Sequence, residues 1–510
     1  MRKSLPTAEA SGRDVVPRSE NGECSRGSSR IMPTMILDAE SCYRALATHD
    51  ARFDGRFFVG VSSTRIYCRP VCTVRTPRRE NCHFFPSAAA AEVEGYRPCL
   101  RCRPELAPGN ASVDATARLG QAAVDMIENG TLDEYGLEGL ARKIGVTSRH
   151  LRRTFVAQFG VAPVEYAQTQ RLLLAKRLLT DTALPVTDVA LSSGFRSVRR
   201  FNALFRARYR MAPSRLRRDA GRHRLPDMLA FELAYRPPYA FDALLDFLRA
   251  RAIEGVEAVT AHGYRRTLSI EHRGAMHAGT IEVRRAPRKN ALAVKISASF
   301  AHVVPHVLSR VKHAFDLGCD PVQVSECLGD LAQAHPGLRV PGTFDGFELA
   351  VRAVVGQQIT VRGARTLLGR LTRDLGAPMP NAEGLSTLFP TAARVAACDP
   401  VEIARLGMPL SRAKTLIAIA TAVANGDIEF GPGGDVDAAI EKLQTIGGVG
   451  TWTAHYIAMR ALGWPDAFLA NDRIVLKAMN EKRPARALVR SEAWRPWRAY
   501  AVMHLWKGLS

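Results

Sequence analysis

No stretch of the 510 residues offers the roughly 18 consecutive apolar side chains that a helix needs to cross a bilayer. The first residues also lack an apolar signal core, so export is not expected. Acidic residues are scarce: 49 Asp and Glu stand against 71 Lys and Arg, for a formal charge of +22. Such an excess favours a polyanionic partner, nucleic acid or an anionic membrane surface. The shortage of acid is local. Between Arg142 and Arg224 nineteen basic residues face only Glu165, Asp181, Asp188 and Asp219. A solvated face is the ordinary account of a charge run, but a density this high, dominated by Arg, reads as nucleic-acid contact. Aromatics are few, with five Trp in all. Apolar content of 46% is that of globular protein, and the length calls for three or four cores.

The chain divides by pattern into a multidomain protein. Residues 1–38 are polar, without periodicity, and read as a disordered leader in which Met32 and Met35 are alternative starts. Residues 39–106 mix short apolar runs with Pro and Cys, as in a small metal-stapled α+β domain, and Pro104–Asn110 is a linker. Residues 115–220 are all-α. There LEGLARKIGVTSRHLRRTFVAQFG and VTDVALSSGFRSVRRFNALFRARY share one plan: a short helix, a turn with Gly145 or Gly194, a Ser/Thr cap, and a basic amphipathic helix. That is helix-turn-helix logic, in which the second helix can enter a major groove. Residues 229–330 form an α+β domain, with strands at RRTLSIEHR, GTIEVRRA and ALAVKISA and helices near 240–252 and 302–315. Residues 331–510 are nearly all helical.

Four of the ten cysteines form two close pairs, Cys68-x3-Cys72 and Cys99-x2-Cys102. Two such pairs bring four thiolates around one tetrahedral Zn²⁺, and spacing alone most often means a structural staple. The flanking residues shift that balance. FFVGVSSTRIYCRPVC, RRENCHFF and GYRPCLRC resemble the zinc domain of Ada-type methylphosphotriester repair proteins, over about residues 40–106. The resemblance implies one zinc on Cys68, Cys72, Cys99 and Cys102, with Cys68 also the methyl acceptor. A zinc-held thiol is a thiolate at neutral pH and can attack a methyl carbon. Four thiolates on a dication carry a net −2, and methylation lowers this to −1, which would weaken repulsion from DNA. The helix-turn-helix pair resembles that of AraC-type activators. It implies that Arg149, Arg152 and Arg153 lie on the first recognition helix and Arg196, Arg199 and Arg200 on the second, most of them serving phosphates.

In LQTIGGVGTWTAHYIAMRALG the glycine turn Gly447-Gly448-Val449-Gly450 opens a helix at about Thr451, so exposed N–H groups point at a phosphate. Asp472 follows Trp452 by twenty residues. By themselves the tryptophans would pass as core and Asp472 as a helix cap. Together they resemble the helix-hairpin-helix glycosylases. GFELAVRAVVGQQIT, AWRPWRAYAVMHLW and FELAYRPPYAFDALLDFLRARAIEGVE narrow the likeness to AlkA-like 3-methyladenine glycosylases over residues 229–510, which implies an α+β (TBP-like) domain followed by an all-α helix-hairpin-helix domain. The resemblance implies that Asp472 is the catalytic carboxylate and that Trp452, Tyr456 and Trp506 line a base pocket. It puts Gln358 where a side chain enters the duplex, and Gly447, Gly448, Gly450 and Thr451 on the DNA backbone. A base must leave the stack to be reached. A carboxylate stabilises the positive charge that builds on the sugar. A cationic alkylpurine on an indole face gains on the order of 1–2 kcal/mol.

Further absences sharpen the expectation. Where lyases of that superfamily carry a Schiff-base Lys, this chain has Trp452. No Cys follows Cys398, which leaves no iron–sulfur motif near the C-terminus, and no PCHR motif is present. The reading is a monofunctional glycosylase with stoichiometric methyl transfer at zinc, no organic cofactor, and a sequence-specific activator half. Its expected partners are double-stranded DNA and, for an activator, RNA polymerase, for a cytoplasmic, nucleoid-associated monomer. The alternative is a regulator whose glycosylase-like module only binds DNA, against which an intact Asp472 speaks.

Overall fold

The computed structural model describes residues 38–108, 115–182, 184–216, 227–380, 384–431 and 435–509. The leader expected over residues 1–38 lies outside them except for Asp38, which caps the helix Ala39–Ala47 by accepting from the Glu40 and Ser41 N–H groups.

Strands β1 (Phe58–Val61), β2 (Ile66–Cys68), β3 (Cys82–Phe85) and β4 (Arg97–Pro98) make a sheet of order β3-β1-β2-β4. The first three are antiparallel, while β2 and β4 run parallel. That one parallel pair matters, because it brings two chain segments to the same end of the sheet. The helix Ala88–Val93 packs on this domain through Ala88 and Ala91, while Ala89 and Ala90 join the core of the helices that follow.

Six helices follow: Ala115–Glu128, Thr131–Ile144 (broken at Gly136), Ser148–Phe159, Pro163–Asp181, Val186–Ser192 and Val198–Tyr209. The turns expected at Gly145 and Gly194 are present, with φ of 82° and 86°. Thr147 and Ser197 cap the helices after them, each accepting from an N–H three residues on.

Next comes a five-stranded antiparallel sheet of order β5-β9-β8-β7-β6. Its strands are β5 (Met228–Ala234), β6 (Glu257–Val259), β7 (Gly263–His272), β8 (Ala275–Arg285) and β9 (Ala291–Ser297). β7, β8 and β9 are the three anticipated strands, and Phe241–Arg251 and Val304–Ala314 the two anticipated helices. β5 and β6 were not anticipated. Phe201, Phe205 and Tyr209 of the second helix-turn-helix unit share one apolar core with Leu229, Ile281 and Val294 of this sheet. Each fully buried large side chain there contributes about 1.5–3 kcal/mol, so the two segments stabilise each other.

The C-terminal helices divide between two cores. One gathers Leu349, Val354, Leu416, Ile419 and Ile457. The other gathers Phe468, Leu469, Val475, Trp497 and Tyr500 with Val324 and Leu328 of the helix Pro321–Leu328. Tyr456 packs against both.

Candidate functional sites

The parallel pairing of β2 with β4 sets Tyr67 beside Pro98, so Cys68 and Cys99 emerge side by side. A turn closed by the Cys72 N–H on the Arg69 carbonyl brings in Cys72. The ligand atoms of Cys68, Cys72, Cys99 and Cys102 all lie within 4.8 Å of one another. A tetrahedral Zn–S bond of about 2.3 Å separates its sulfurs by about 3.8 Å, so the donor set fits zinc. The N–H groups of Arg69 and Arg101 point at the sulfurs of Cys102 (3.3 Å) and Cys99 (3.4 Å). Such donors stabilise thiolates. Arg69 is buried, paired with Asp54, and donates to the Cys102 carbonyl at 3.1 Å. Cys68 is 6% exposed, and Cys102 is the most open of the four.

Arg149, Arg152 and Arg153 are exposed on one face of the helix Ser148–Phe159, and Arg199 and Arg200 are exposed on Val198–Tyr209. Arg196 departs from the expectation. It precedes the Ser197 cap rather than riding on the helix, and its guanidinium donates to the Asp133 carbonyl. The Ser197 hydroxyl sets the helix start, and that leaves Arg196 in the turn.

At the C-terminal end the glycine turn leads into the helix Thr451–Arg460, with Gly447, Gly448, Gly450 and Thr451 all exposed. Asp472 is the N-cap of Arg473–Ala478: its Oδ1 accepts from the N–H groups of Ile474 (2.9 Å) and Val475 (3.0 Å). Two indoles complete its shell. Trp506 Nε1 donates to Oδ1 at 3.1 Å, and Trp452 Nε1 to Oδ2 at 3.0 Å. Asp472 is therefore a helix cap and also the point on which the two indole N–H groups converge. Three of the four N–H donors share Oδ1, and Oδ2 takes one, which leaves acceptor capacity on Oδ2.

Trp452 stacks on Tyr456, with centroids 5.1 Å apart and planes 9° apart, while Tyr456 and Trp506 are 6.4 Å apart at 45°. Burial pushes the Tyr456 phenol up, but the Arg460, Arg251 and Arg352 guanidiniums outweigh it and hold it below its ordinary value. Arg460 donates to the phenol oxygen at 2.6 Å.

Gln358 is exposed with φ of 58°, at the tip of the turn after the helix Gly346–Val355. Its neighbour Gln357 escaped the sequence reading. Gln357 Nε2 donates to the Gly448 carbonyl (2.9 Å) and to Thr453 Oγ1 (2.8 Å), and Arg412 holds its own carbonyl at 2.8 Å. It locks the GQQ turn to the glycine turn. The repeated Gln was the available signal, since a tip needs only one of the two.

The metal binding domain of Ada matches residues 41–105, a helix-turn-helix domain residues 140–219, and the AlkA N-terminal domain residues 230–345. A probable bifunctional transcriptional activator/DNA repair enzyme AlkA of Mycobacterium tuberculosis is 38% identical, across 92% of this chain and 97% of that protein. DNA-3-methyladenine glycosylase 2 of Escherichia coli is 38% identical across 54% of this chain and 96% of its own length. The bifunctional transcriptional activator/DNA repair enzyme AdaA of Bacillus subtilis is 31% identical across 39% of this chain and 91% of its own.

Proposed function

The chain belongs to the family of bifunctional transcriptional activator/DNA repair enzymes that joins an Ada-type zinc domain to an AlkA-type glycosylase, and from that premise we propose how its residues divide the work. The C-terminal half is a DNA glycosylase, and Asp472 is its catalytic carboxylate. The observation that carries this is the pair of indole N–H groups converging on Asp472 across 20 and 34 residues of sequence. With Oδ1 held by three N–H donors and Oδ2 by one, Asp472 is fixed in place as a charged carboxylate, with acceptor capacity left on Oδ2 to face developing positive charge. Trp452 and Tyr456 lie face to face, and a flipped cationic base is received against the aromatic surface that these two form with Trp506. Excision is hydrolytic and monofunctional, because Trp452 stands where a Schiff-base amine would have to be.

In the N-terminal half the four cysteines would hold zinc, which when bound keeps Cys68 a thiolate. Cys68 Sγ attacks the methyl carbon of a methylphosphotriester. The S–C bond forms, the C–O bond breaks, and the phosphodiester anion leaves. The transfer is stoichiometric. The two helix-turn-helix units carry the chain to a promoter and its polymerase, as a monomer held on the nucleoid. No described helix is long and apolar enough to cross a membrane.

Release of free base from methylated duplex DNA tests the reading. Asp472→Asn keeps the cap and one acceptor but removes the charge, so excision should fall by orders of magnitude while DNA binding persists. Borohydride should trap no covalent adduct with either protein. Wild-type excision by Asp472→Asn would reject the assignment and favour a module that only binds DNA.

A further inference from the structure

The helix Ala88–Val93 of the cysteine domain touches the C-terminal ends of both recognition helices. Its cap Ser87 donates Oγ–H to the carbonyl of Phe159, the last residue of Ser148–Phe159, at 2.6 Å. At its other end stands Glu92, 3% exposed. The Glu92 backbone carbonyl accepts from Arg208 at 3.0 Å, and its Oε1 lies 3.5 Å from the Tyr209 hydroxyl. Arg208 and Tyr209 are the last two residues of Val198–Tyr209. The same carboxylate accepts from Thr169 (3.1 Å), on the helix that connects the two units, and from Tyr67 (3.0 Å), which precedes Cys68.

Packing does not demand a carboxylate here. Glu92 follows Ala88 by one helical turn, on the side where Ala88 and Ala91 pack against apolar residues, and an apolar side chain would continue that face. A buried carboxylate is costly unless fully bonded, and this one collects hydroxyls from three separate segments. We infer that the helix Ala88–Val93 is a crosspiece fixing the distance and angle between the two recognition helices, with Glu92 as its positioning residue, so that the protein reads a bipartite DNA site of fixed spacing. This rests on the reading of those two helices as DNA-recognition elements. Helices that enter successive major grooves must stand about 34 Å apart along the duplex. One inserted base pair shifts a half-site by about 3.4 Å and turns it by about 35°. A braced pair cannot follow such a shift, whereas an unbraced pair can adapt.

The test uses the full zinc-loaded chain and a duplex selected from a random-sequence pool by the wild-type protein. The same duplex with one base pair inserted between the two protected segments is the comparison. Wild type should lose at least about tenfold in affinity on insertion. Glu92→Ala should bind the selected duplex about five- to tenfold more weakly and discriminate less than about threefold between the two. Glu92→Gln should restore both values, since its carbonyl accepts from Tyr67 and Tyr209 and its N–H donates to Thr169. Zinc content and base excision should stay at wild-type levels. Tyr209→Phe, which removes one hydroxyl from the node, should fall between Glu92→Ala and wild type. It decides the matter if Glu92→Ala does not fold. A folded variant that discriminates as sharply as wild type overturns the crosspiece, as does a wild type indifferent to the insertion. A wild type that selects no sequence at all overturns instead the regulator reading beneath it.

Discussion

At Gly448 the backbone stands at φ 91°, and a Cβ built there would lie 2.2 Å from Thr415 Oγ1. That hydroxyl is not free to move aside, because it holds the Gly447 carbonyl at 2.7 Å. Gly448→Ala therefore meets left-handed strain and a clash together, and should cost about 2–4 kcal/mol in unfolding free energy. Adding Thr415→Ala should return the steric share and leave the strain, which thermal unfolding of the single and double variants will separate. Among the three glycines of the turn only Gly448 is so constrained; a Cβ on Gly447 or Gly450 meets nothing within 4 Å. The sequence offers three equal glycines and cannot rank them, because the obstacle, Thr415, lies on another helix. Asp472 was legible for the opposite reason. Its partners are separated in sequence, but their types and offsets are specific enough to name it before any contact is seen.

In the proposed function the GQQ turn is the element that joins the duplex to the pocket, and Gln357 ties it to the glycine turn. Gln357→Ala would leave the Gly448 carbonyl and Thr453 hydroxyl without this donor and release the turn that carries Gln358. A looser tip should hamper extrusion of a paired base more than capture of one already unpaired. Excision from fully paired methylated DNA should fall about tenfold, and excision from single-stranded DNA less than about threefold. Equal losses on both substrates would assign Gln357 to the pocket instead. Local pattern made most elements readable here: the turns at Gly145 and Gly194, the presence of a Ser/Thr cap after each, and the helix at Thr451 stand where the sequence put them. One miss lies where a partner on another element decides. β6 is a three-residue strand held by β7, too short to show a period of its own, whereas β5 does alternate, with Leu229, Phe231 and Leu233 buried and Ala230 and Glu232 between them, and was there to be read. Arg196 was misplaced by two residues because a Ser197 cap and a helix beginning at Arg196 share one charge pattern.

Across the whole molecule, the sharing of cores between segments was not legible in the sequence. Phe201 and Ile281 are eighty residues apart, and nothing periodic connects them. That same close assembly bears on the methyl switch. Two buried cations beside the cysteine cluster are already committed: Arg69 pairs with Asp54, and Lys176, whose Nζ lies 3.4 Å from the Cys99 carbonyl, pairs with Glu105. When Cys68 becomes a thioether the cluster loses one negative charge, and neither of these two paired cations is free to rearrange and cancel the change. For a phosphate about 8 Å away and an effective dielectric between protein-surface and water values, Coulomb's law gives on the order of 1 kcal/mol, about a fivefold gain in affinity. The gain should shrink as salt rises, since the screening length falls from about 10 Å at 0.1 M to about 3 Å at 1 M. Peptide mass mapping after reaction with methylated DNA should find one methyl, on Cys68. The more open Cys102 is its natural competitor, and a methyl there would overturn the site. A gain of unchanged size from low to high salt would leave Cys68 in place and reject the electrostatic cause, pointing to a shape change in the loop from Cys68 to Cys72 instead.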